Sequence, residues 1–262
     1  MQKIESFADL SPQITRQMRR GICTNAFFTP EEYSRAIAEG TLYGEEFDGG
    51  LLLLWARDGY DRLSFWVSGT ALPLIPRRDT VAEIAFRDRD IALQEVGRSL
   101  EKIGFSPLFD RVRLSKKAQE AQEFPAEFAA ENDLPQVEAL LKAGFHPLGG
   151  CLPTQSELLL DLKEGRVLCR RNTQHELTAL LHFAAGKGAS KILHLLVAPE
   201  ARKRGEATAL LCALQSITGG RRSTVWTQAD NAAAIACYEK FGYTLDGWKA
   251  RVWQYRTEDK LW

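Results

Sequence analysis

The sequence lacks an excess of charge of either sign, because its 262 residues include 34 Lys plus Arg and 34 Asp plus Glu. A general nucleic-acid-binding protein carries a basic excess or a basic stripe, so the balance argues against a nucleic-acid partner. Long apolar runs are lacking too. The longest one near the start, residues 51–56, is far too short to span a membrane, and MQKIESFADL lacks the apolar core of a signal peptide. We therefore expect a cytoplasmic protein with no membrane partner.

Cysteine is scarce and shows no pattern. The five cysteines are scattered, odd in number and without a C-x-x-C pair. Such spacing supports neither a zinc site nor a disulfide framework, so we expect no metal cofactor. Unpaired cysteines also agree with a reducing compartment.

One stretch, residues 190–213, reads as a strand, a basic loop and a helix. The apolar run Ile192–Val197 is typical of a buried strand, and the helix has Ala207, Leu210, Leu211 and Leu214 on one face. The first amides of a helix have no internal partners, and the helix dipole favours an anion there. Gly205 has no Cβ to keep a ligand from the backbone. The pattern predicts a phosphate site, although a basic loop can also be plain solvated surface.

Two motifs resemble signatures of the GNAT superfamily of N-acyltransferases. The order Val197, Pro199, Arg202, Gly205, Ala207 resembles its acyl-CoA motif, Arg/Gln-x-x-Gly-x-Gly/Ala after a strand. The stretch 231–243 resembles the family's asparagine-to-tyrosine helix, and the residues in the matching places are Asn231, Ala234, Tyr238, Glu239, Lys240, Gly242 and Tyr243. These signatures stand at the separation that the family shows.

Residues 126–262 also follow the GNAT order of elements. We predict strand 126–131, a helix from Asp133 with Gln136 reaching back to its start, and a helix opened by a Thr154–Glu157 capping box. Strands 166–170, 177–184 and 192–197, the basic loop and its helix follow. Strand 223–228, helix 232–241 capped by Asp230 and Asn231, and strands 243–245 and 250–255 complete the order. The resemblance implies an α+β class, with a mixed sheet of the GNAT N-acyltransferase fold as the catalytic domain.

The first half is predicted as a second domain, 1–117, joined by a polar linker, 118–125. Its patterns indicate helices 8–24, 30–40 and 91–103, a hairpin with strands 51–55 and 62–67, and strands 80–86 and 105–114. Residues 100–105, LEKIGF, echo 238–243, YEKFGY. We interpret this half as a degenerate GNAT-like unit in a tandem arrangement. An R-x-x-G-x-A loop is missing after Val67, so it should not bind CoA. An unrelated α+β domain is the alternative.

The resemblance implies acetyl-CoA as co-substrate and assigns it a set of residues. The predicted binding residues are Leu195, Leu196, Val197, Arg202, Lys203, Arg204, Gly205, Glu206, Ala207, Thr208 and Asn231. Tyr238 matches the family's general acid, which protonates the leaving thiolate, and a tyrosine packed at a helix–sheet seam is the alternative. The base stays unassigned. Because alternate residues of a strand share a face, Lys191 and Leu193 should lie on the same face as Leu195. His194 should then point away from the cofactor side. His146, Glu176 and a water chain stay open.

The implied activity is acyl-CoA-dependent N-acyl transfer, with acetyl passing from acetyl-CoA to a primary amine by direct attack. The acceptor is a small molecule, an amino acid or a peptide. Alternatives are a non-catalytic acyl-CoA sensor and an aminoacyl-tRNA-dependent transferase, against which the CoA loop and neutral charge argue. The sequence leaves monomer and homodimer open.

Overall fold

The computed structural model describes residues 1–19, 23–69, 71–73, 76–186 and 188–257. The chain divides into two compact units. Unit 1 comprises Met1–Asp110 and Trp248–Trp262, and unit 2 comprises Arg111–Gly247. None of the helices in the described ranges combines the length and apolar character that a membrane-crossing helix needs.

The described residues of unit 1 form three α-helices and strands with mixed parallel and antiparallel pairing. Its strands are β1 (Gln2–Lys3), β2 (Cys23–Thr24), β3 (Leu42–Phe47), β4 (Gly50–Ala56), β5 (Asp61–Val67) and β6 (Thr80–Phe86). Its helices are α1 (Phe7–Met18), α2 (Pro30–Ala38) and α3 (Ile91–Lys102). The Thr29 side chain and Glu32 form a capping box that begins α2. The predicted helix 8–24 is too long, since Cys23 and Thr24 are a strand and residues 20–22 lie outside the described ranges.

The described residues of unit 2 form four α-helices and strands with mixed parallel and antiparallel pairing. Strands β8 (Val167–Arg171), β9 (Leu177–Ala185), β10 (Ala189–Val197) and β11 (Arg222–Gln228) lie within it. So do helices α4 (Leu134–Gly144), α5 (Gln155–Lys163), α6 (Glu206–Ile217) and α7 (Ala232–Lys240). The Thr154 capping box that the sequence predicts is present.

Two strands run from one unit into the other. They are β7 (Ser106–Lys116) and β12 (Thr244–Tyr255). β12 is one continuous strand, so its prediction as two strands, 243–245 and 250–255, is wrong. The predicted boundaries at 117 and 126 therefore do not coincide with the compact units.

Two local predictions at the start of unit 2 fail. Residues 126–131 form no strand and contribute only an isolated bridge between Phe128 and Leu168. Asp133 does not cap α4, because its carboxylate accepts hydrogen bonds from the guanidinium of Arg171 and from the amide of Ala130. Gln136 instead accepts a hydrogen bond from the amide of Leu177. Both side chains therefore form hydrogen bonds to residues distant in the sequence or outside α4, and neither forms the predicted cap.

The two units share one pattern of strand pairing. In unit 1, β3 and β4 pair antiparallel, as do β4 and β5, and β5 runs parallel to β6, which pairs antiparallel with residues 249–255 of β12. In unit 2, β8, β9, β10 and β11 repeat that pattern, and β11 pairs antiparallel with residues 111–116 of β7. Each unit thus receives its last strand from the sequence segment that follows the other unit's last helix. Between β5 and β6 the described residues form no helix, whereas α6 lies between β10 and β11.

Candidate functional site

The parallel strands β10 and β11 separate midway along their length. Their pairing runs from Ala189–Arg222 to Ile192–Val225 and stops there. Beyond that point β10 stays paired with β9 as far as Val197, and β11 stays paired with β7 as far as Gln228. The edge of β10 that faces β11 is therefore unpaired from Leu193 to Val197 within this sheet.

The backbone amides of Leu195 and Val197 point towards this open edge. The amide of Ala198, just after β10, donates to the carbonyl oxygen of Thr178 on β9 at 2.8 Å. Successive amides of an extended strand point to opposite sides. The amide of Leu196 therefore faces β9, and those of Leu195 and Val197 face the gap. Leu195, Leu196 and Val197 were all predicted to bind the cofactor, but the amide of Leu196 does not face the gap.

A β-bulge sets which side chains share a face of β10. The register shifts between Ile192 and His194. As a result Ile192, Leu195 and Val197 pack in one cluster with the α6 and α7 side chains, whereas Leu196 packs against α4. The prediction that Lys191 and Leu195 lie on the same face of the strand is wrong, because the bulge lies between them. The prediction that His194 points away from the cofactor side agrees with the structure.

The loop after β10 has the backbone form that the predicted phosphate site requires. Lys203 has φ +61° and Gly205 has φ +86°, both in the left-handed region, where glycine is favoured. A Cβ on Gly205 would meet nothing within 4 Å, so the need for glycine here comes from φ and from any bound ligand. α6 begins at Glu206 without a side-chain cap. The amides of Glu206, Ala207 and Thr208 therefore lack intrahelical partners.

Charged side chains surround this helix start. Arg202, Lys203 and Arg204 are exposed. The Nε of Arg202 donates to the carbonyl oxygen of Val197 at 3.1 Å, which ties the loop to the end of β10. The Glu206 carboxylate accepts from Arg170 Nε at 2.8 Å, so the one acid in the motif is paired with a cation. The net charge around the free amides is positive, which suits a phosphate.

Tyr238 lies on α7 in the same apolar cluster as Leu195 and Val197. Its side chain is 5% exposed and its ring meets the edge of Tyr243 at 5.5 Å between centroids. Burial raises the pKa of the Tyr238 phenol well above its ordinary value, so the hydroxyl keeps its proton at neutral pH. The predicted ligand residue Asn231 caps α7, since its Oδ1 accepts from the amide of Ala234 at 3.0 Å.

The two candidate bases, His146 and Glu176, are hydrogen-bonded elsewhere, and so is His194. His146 Nδ1 accepts from the amides of Leu148 and Gly149, both at 3.2 Å. Glu176 accepts from the side chain of Asn172 at 2.8 Å. His194 is 4% exposed and hydrogen-bonded through both ring nitrogens. The described residues contain no group of three or more His, Cys, Asp or Glu side chains that could hold a metal ion.

Sequence reasoning missed His182, which contacts both His194 and Asp161. No local signal pointed to it. Near the turn the register pairs Phe183 with Ile192, so a regular hairpin would place His182 opposite Leu193, and only the bulge brings it opposite His194. Asp161, on α5, could not have been placed from its spacing.

Comparison with known proteins agrees with this geometry. The model of the Acetyltransferase (GNAT) family matches residues 159–243, which contain β10, the loop, α6 and α7. Comparison with curated proteins yields no match.

Solved structures of similar fold cover nearly the whole chain. A GCN5-related N-acetyltransferase from Sphaerobacter thermophilus is 15% identical, with TM-score 0.56, over 97% of this chain and 94% of its own. A GNAT-family acetyltransferase from Colwellia psychrerythraea is 13% identical, with TM-score 0.57, over 97% and 99%. A tandem GNAT protein of the clavulanic acid biosynthesis pathway is 12% identical, with TM-score 0.50, over 79% and 78%. At these identities the likeness concerns the fold. Residues 159–243 therefore form a domain of the Acetyltransferase (GNAT) family, and the chain has the α+β fold of GNAT acetyltransferases.

Proposed function

We propose that this protein transfers an acetyl group from acetyl-CoA to a primary amine of a small molecule, an amino acid or a peptide. The observation that carries the proposal is the combination of an open β10 edge with an uncapped, cation-flanked helix start one short loop away. An extended polar arm can pair with the amides of Leu195 and Val197 as an added strand does. The amides of 206–208 then hold the pyrophosphate, assisted by Lys203 and Arg204.

Tyr238 is the proposed general acid. Its side chain, on α7, packs in the same cluster as Leu195 and Val197. Because burial keeps the phenol neutral, Tyr238 can give a proton to the departing sulfur of CoA. No side chain is assigned as base, and the amine loses its proton to water in this proposal.

Unit 1 is proposed as a degenerate copy that binds no CoA. Its parallel strands β5 and β6 also stop pairing early, after Leu63 and Ala82. There β2 adds to β5, with Cys23 opposite Val67 and Thr24 opposite Trp66. The chain's own segment 23–25 thus takes the place in which an added strand would pair.

The test measures free thiol released from acetyl-CoA by the full-length protein against a panel of amines that includes amino acids, polyamines, amino sugars and peptides. Release that depends on both the protein and one class of amine supports the proposal. CoA binding by calorimetry with no turnover on any amine favours the sensor instead. An absence of CoA binding overturns both functions.

A further inference from the structure

Two buried histidines form the middle of a hydrogen-bonded chain in unit 2. His182 on β9 and His194 on β10 are register partners, 2% and 4% exposed, with their Nδ1 atoms 3.2 Å apart. His182 Nε2 lies 2.8 Å from Oδ2 of Asp161 on α5. His194 Nε2 lies 3.0 Å from the carbonyl oxygen of Gly150 in the loop that joins α4 to α5. This series of hydrogen bonds therefore connects the carboxylate of Asp161 to the backbone of the loop at Gly150.

Counting protons along this chain gives a definite result. The carboxylate and the carbonyl at its two ends can only accept, so each Nε2 must carry a proton. The contact between the two Nδ1 atoms needs one more, because two bare lone pairs at that distance repel. Two neutral imidazoles together carry only two N–H groups. Three hydrogen bonds thus require three protons on the two rings.

We infer that the His182–His194 pair carries one proton more than two neutral rings, that His182 holds it as an imidazolium beside Asp161, and that this proton fixes the position of Gly150. His182 is the charged member because its Nε2 contacts the carboxylate. His194 is then neutral, with its Nδ1 accepting from His182 and its Nε2–H donating to Gly150. This inference concerns the loop and stands independently of acyl transfer.

The charges around the pair agree with one cation at that place. Burial tends to raise the pKa of Asp161, but hydrogen bonds from His182 and Arg166 outweigh it and hold the pKa below the usual range. Burial, with the neighbouring His182 charge, lowers the pKa of His194 to about 4, which keeps a second charge off the pair. The other cations facing His194 are Arg111 of β7 and Lys191 of β10, and both disfavour that second charge.

The loop that receives the last hydrogen bond packs on the splayed end of β10. The ring of Phe145 meets His194 edge-on at 4.8 Å, and a Cβ on Gly144 would come within 2.3 Å of Leu196. Cys151, next to Gly150, has φ +53°, a conformation that a non-glycine residue holds only where its surroundings impose it. Loss of the third proton removes one of the three hydrogen bonds. The contact that lacks its hydrogen is then the one between the rings, the one between His182 and Asp161, or the one to Gly150, and in the last case the loop is released.

The protonation state can be read directly by nuclear magnetic resonance of protein labelled with ¹⁵N in its four histidines. Long-range ¹H–¹⁵N correlation reports whether each ring nitrogen carries a proton. At neutral pH we expect one buried ring protonated on both nitrogens and a second that is neutral and protonated on Nε2. The exposed His175→Asn variant removes one unrelated signal and serves as the assignment control. Two neutral buried rings would overturn the inference.

A pair of variants tests the role of the carboxylate. Asp161→Asn keeps the side-chain shape but removes the charge, so the imidazolium signature should disappear at neutral pH. Amide hydrogen exchange of residues 148–152 should stay close to that of the wild type, because the new side-chain amide can donate to His182 Nε2 and leave the hydrogen bond to Gly150 in place. Glu164→Gln is the matched control, because Glu164 also pairs with Arg166. An unchanged histidine spectrum in Asp161→Asn would overturn the assignment, and if that variant fails to fold, the wild-type spectrum decides alone.

Discussion

Asn25 accepts a hydrogen bond from the backbone amide of Phe65 at 2.8 Å, on the part of β5 that β6 no longer reaches. The Asn25 amide group also donates to the carbonyl oxygens of Leu63 on β5 and Glu83 on β6, at 3.0 and 3.1 Å. One side chain thus bridges the two strands where they separate. In unit 2 the corresponding edge of β10, at Leu195, has no such bridge among the described residues.

Asn25→Ala should therefore destabilise the fold without creating a second CoA site. The change leaves one amide and two carbonyls in a half-buried gap without their partner, and each lost bond costs about 1 kcal/mol, with a larger penalty for an unsatisfied group. We expect a loss of about 1–3 kcal/mol in the free energy of unfolding, measured by urea denaturation. Gln119→Ala, at an exposed amide side chain, is the control. Calorimetry on Asn25→Ala that gave two CoA sites per chain would contradict the proposal that unit 1 is degenerate.

Gly205→Val should weaken CoA binding by ~10-fold or more, which corresponds to about 1.4 kcal/mol. The left-handed backbone at Gly205 strains a branched residue, and the new side chain enters the space next to the free amides of 206–208. Calorimetry with CoA measures the affinity, and thermal unfolding without ligand measures the strain.

Gly219→Val is the matched control for that variant. Gly219 follows the other end of α6, has φ +62° and would also place a Cβ in open space. Both variants should lower the melting temperature to a similar extent, and only Gly205→Val should weaken CoA binding. Equal CoA affinities in the two variants would place the phosphate elsewhere.

The sequence predicted the elements whose signals are local. The Thr154 capping box, the hairpin with strands 51–55 and 62–67 and the strand–loop–helix at 190–213 are each formed by residues close in the chain. It failed where distant partners decide. The Asp133 carboxylate accepts a hydrogen bond from Arg171 and does not cap α4. The division of β7 and β12 between the units depends on strands that are distant in the sequence. The bulge at 192–194 is likewise a property of pairing with β9.

The free energy of unfolding should depend on pH because of His194. Its pKa is lowered to about 4 in the folded protein from 6.5, so between those values the unfolded chain binds a proton that the folded chain does not. The stabilisation is complete above about pH 6.5 and is lost as pH falls towards 4. The loss is on the order of 3 kcal/mol across the window.

Urea denaturation at several pH values from 7.5 to 4.5 measures this loss. His194→Gln removes the titrating ring, so its stability should fall less steeply with acid than that of the wild type. His175→Asn, at an exposed histidine, should keep the wild-type slope. If wild type and His194→Gln show the same slope, His194 does not titrate with the lowered pKa.

Tyr238→Phe should separate catalysis from binding. The change removes only the hydroxyl that is proposed to protonate the departing sulfur, and it keeps the ring that packs against Tyr243. CoA affinity and melting temperature should stay close to wild type. The rate of acyl transfer should fall by roughly 10²-fold, with a smaller loss if the thiolate, already a stable anion, needs little assistance.

Tyr243→Phe is the matched control for Tyr238→Phe. Tyr243 is a second buried tyrosine, whose hydroxyl bonds to Ser223 at 2.7 Å and whose pKa is raised by burial to about 12. Its loss should lower stability while leaving turnover per folded protein unchanged. A fall in turnover in Tyr238→Phe alone, with CoA affinity retained, supports the acid role. If CoA affinity falls in step with turnover, Tyr238 is a binding or packing residue, and if Tyr238→Phe is fully active, the sulfur takes its proton from water.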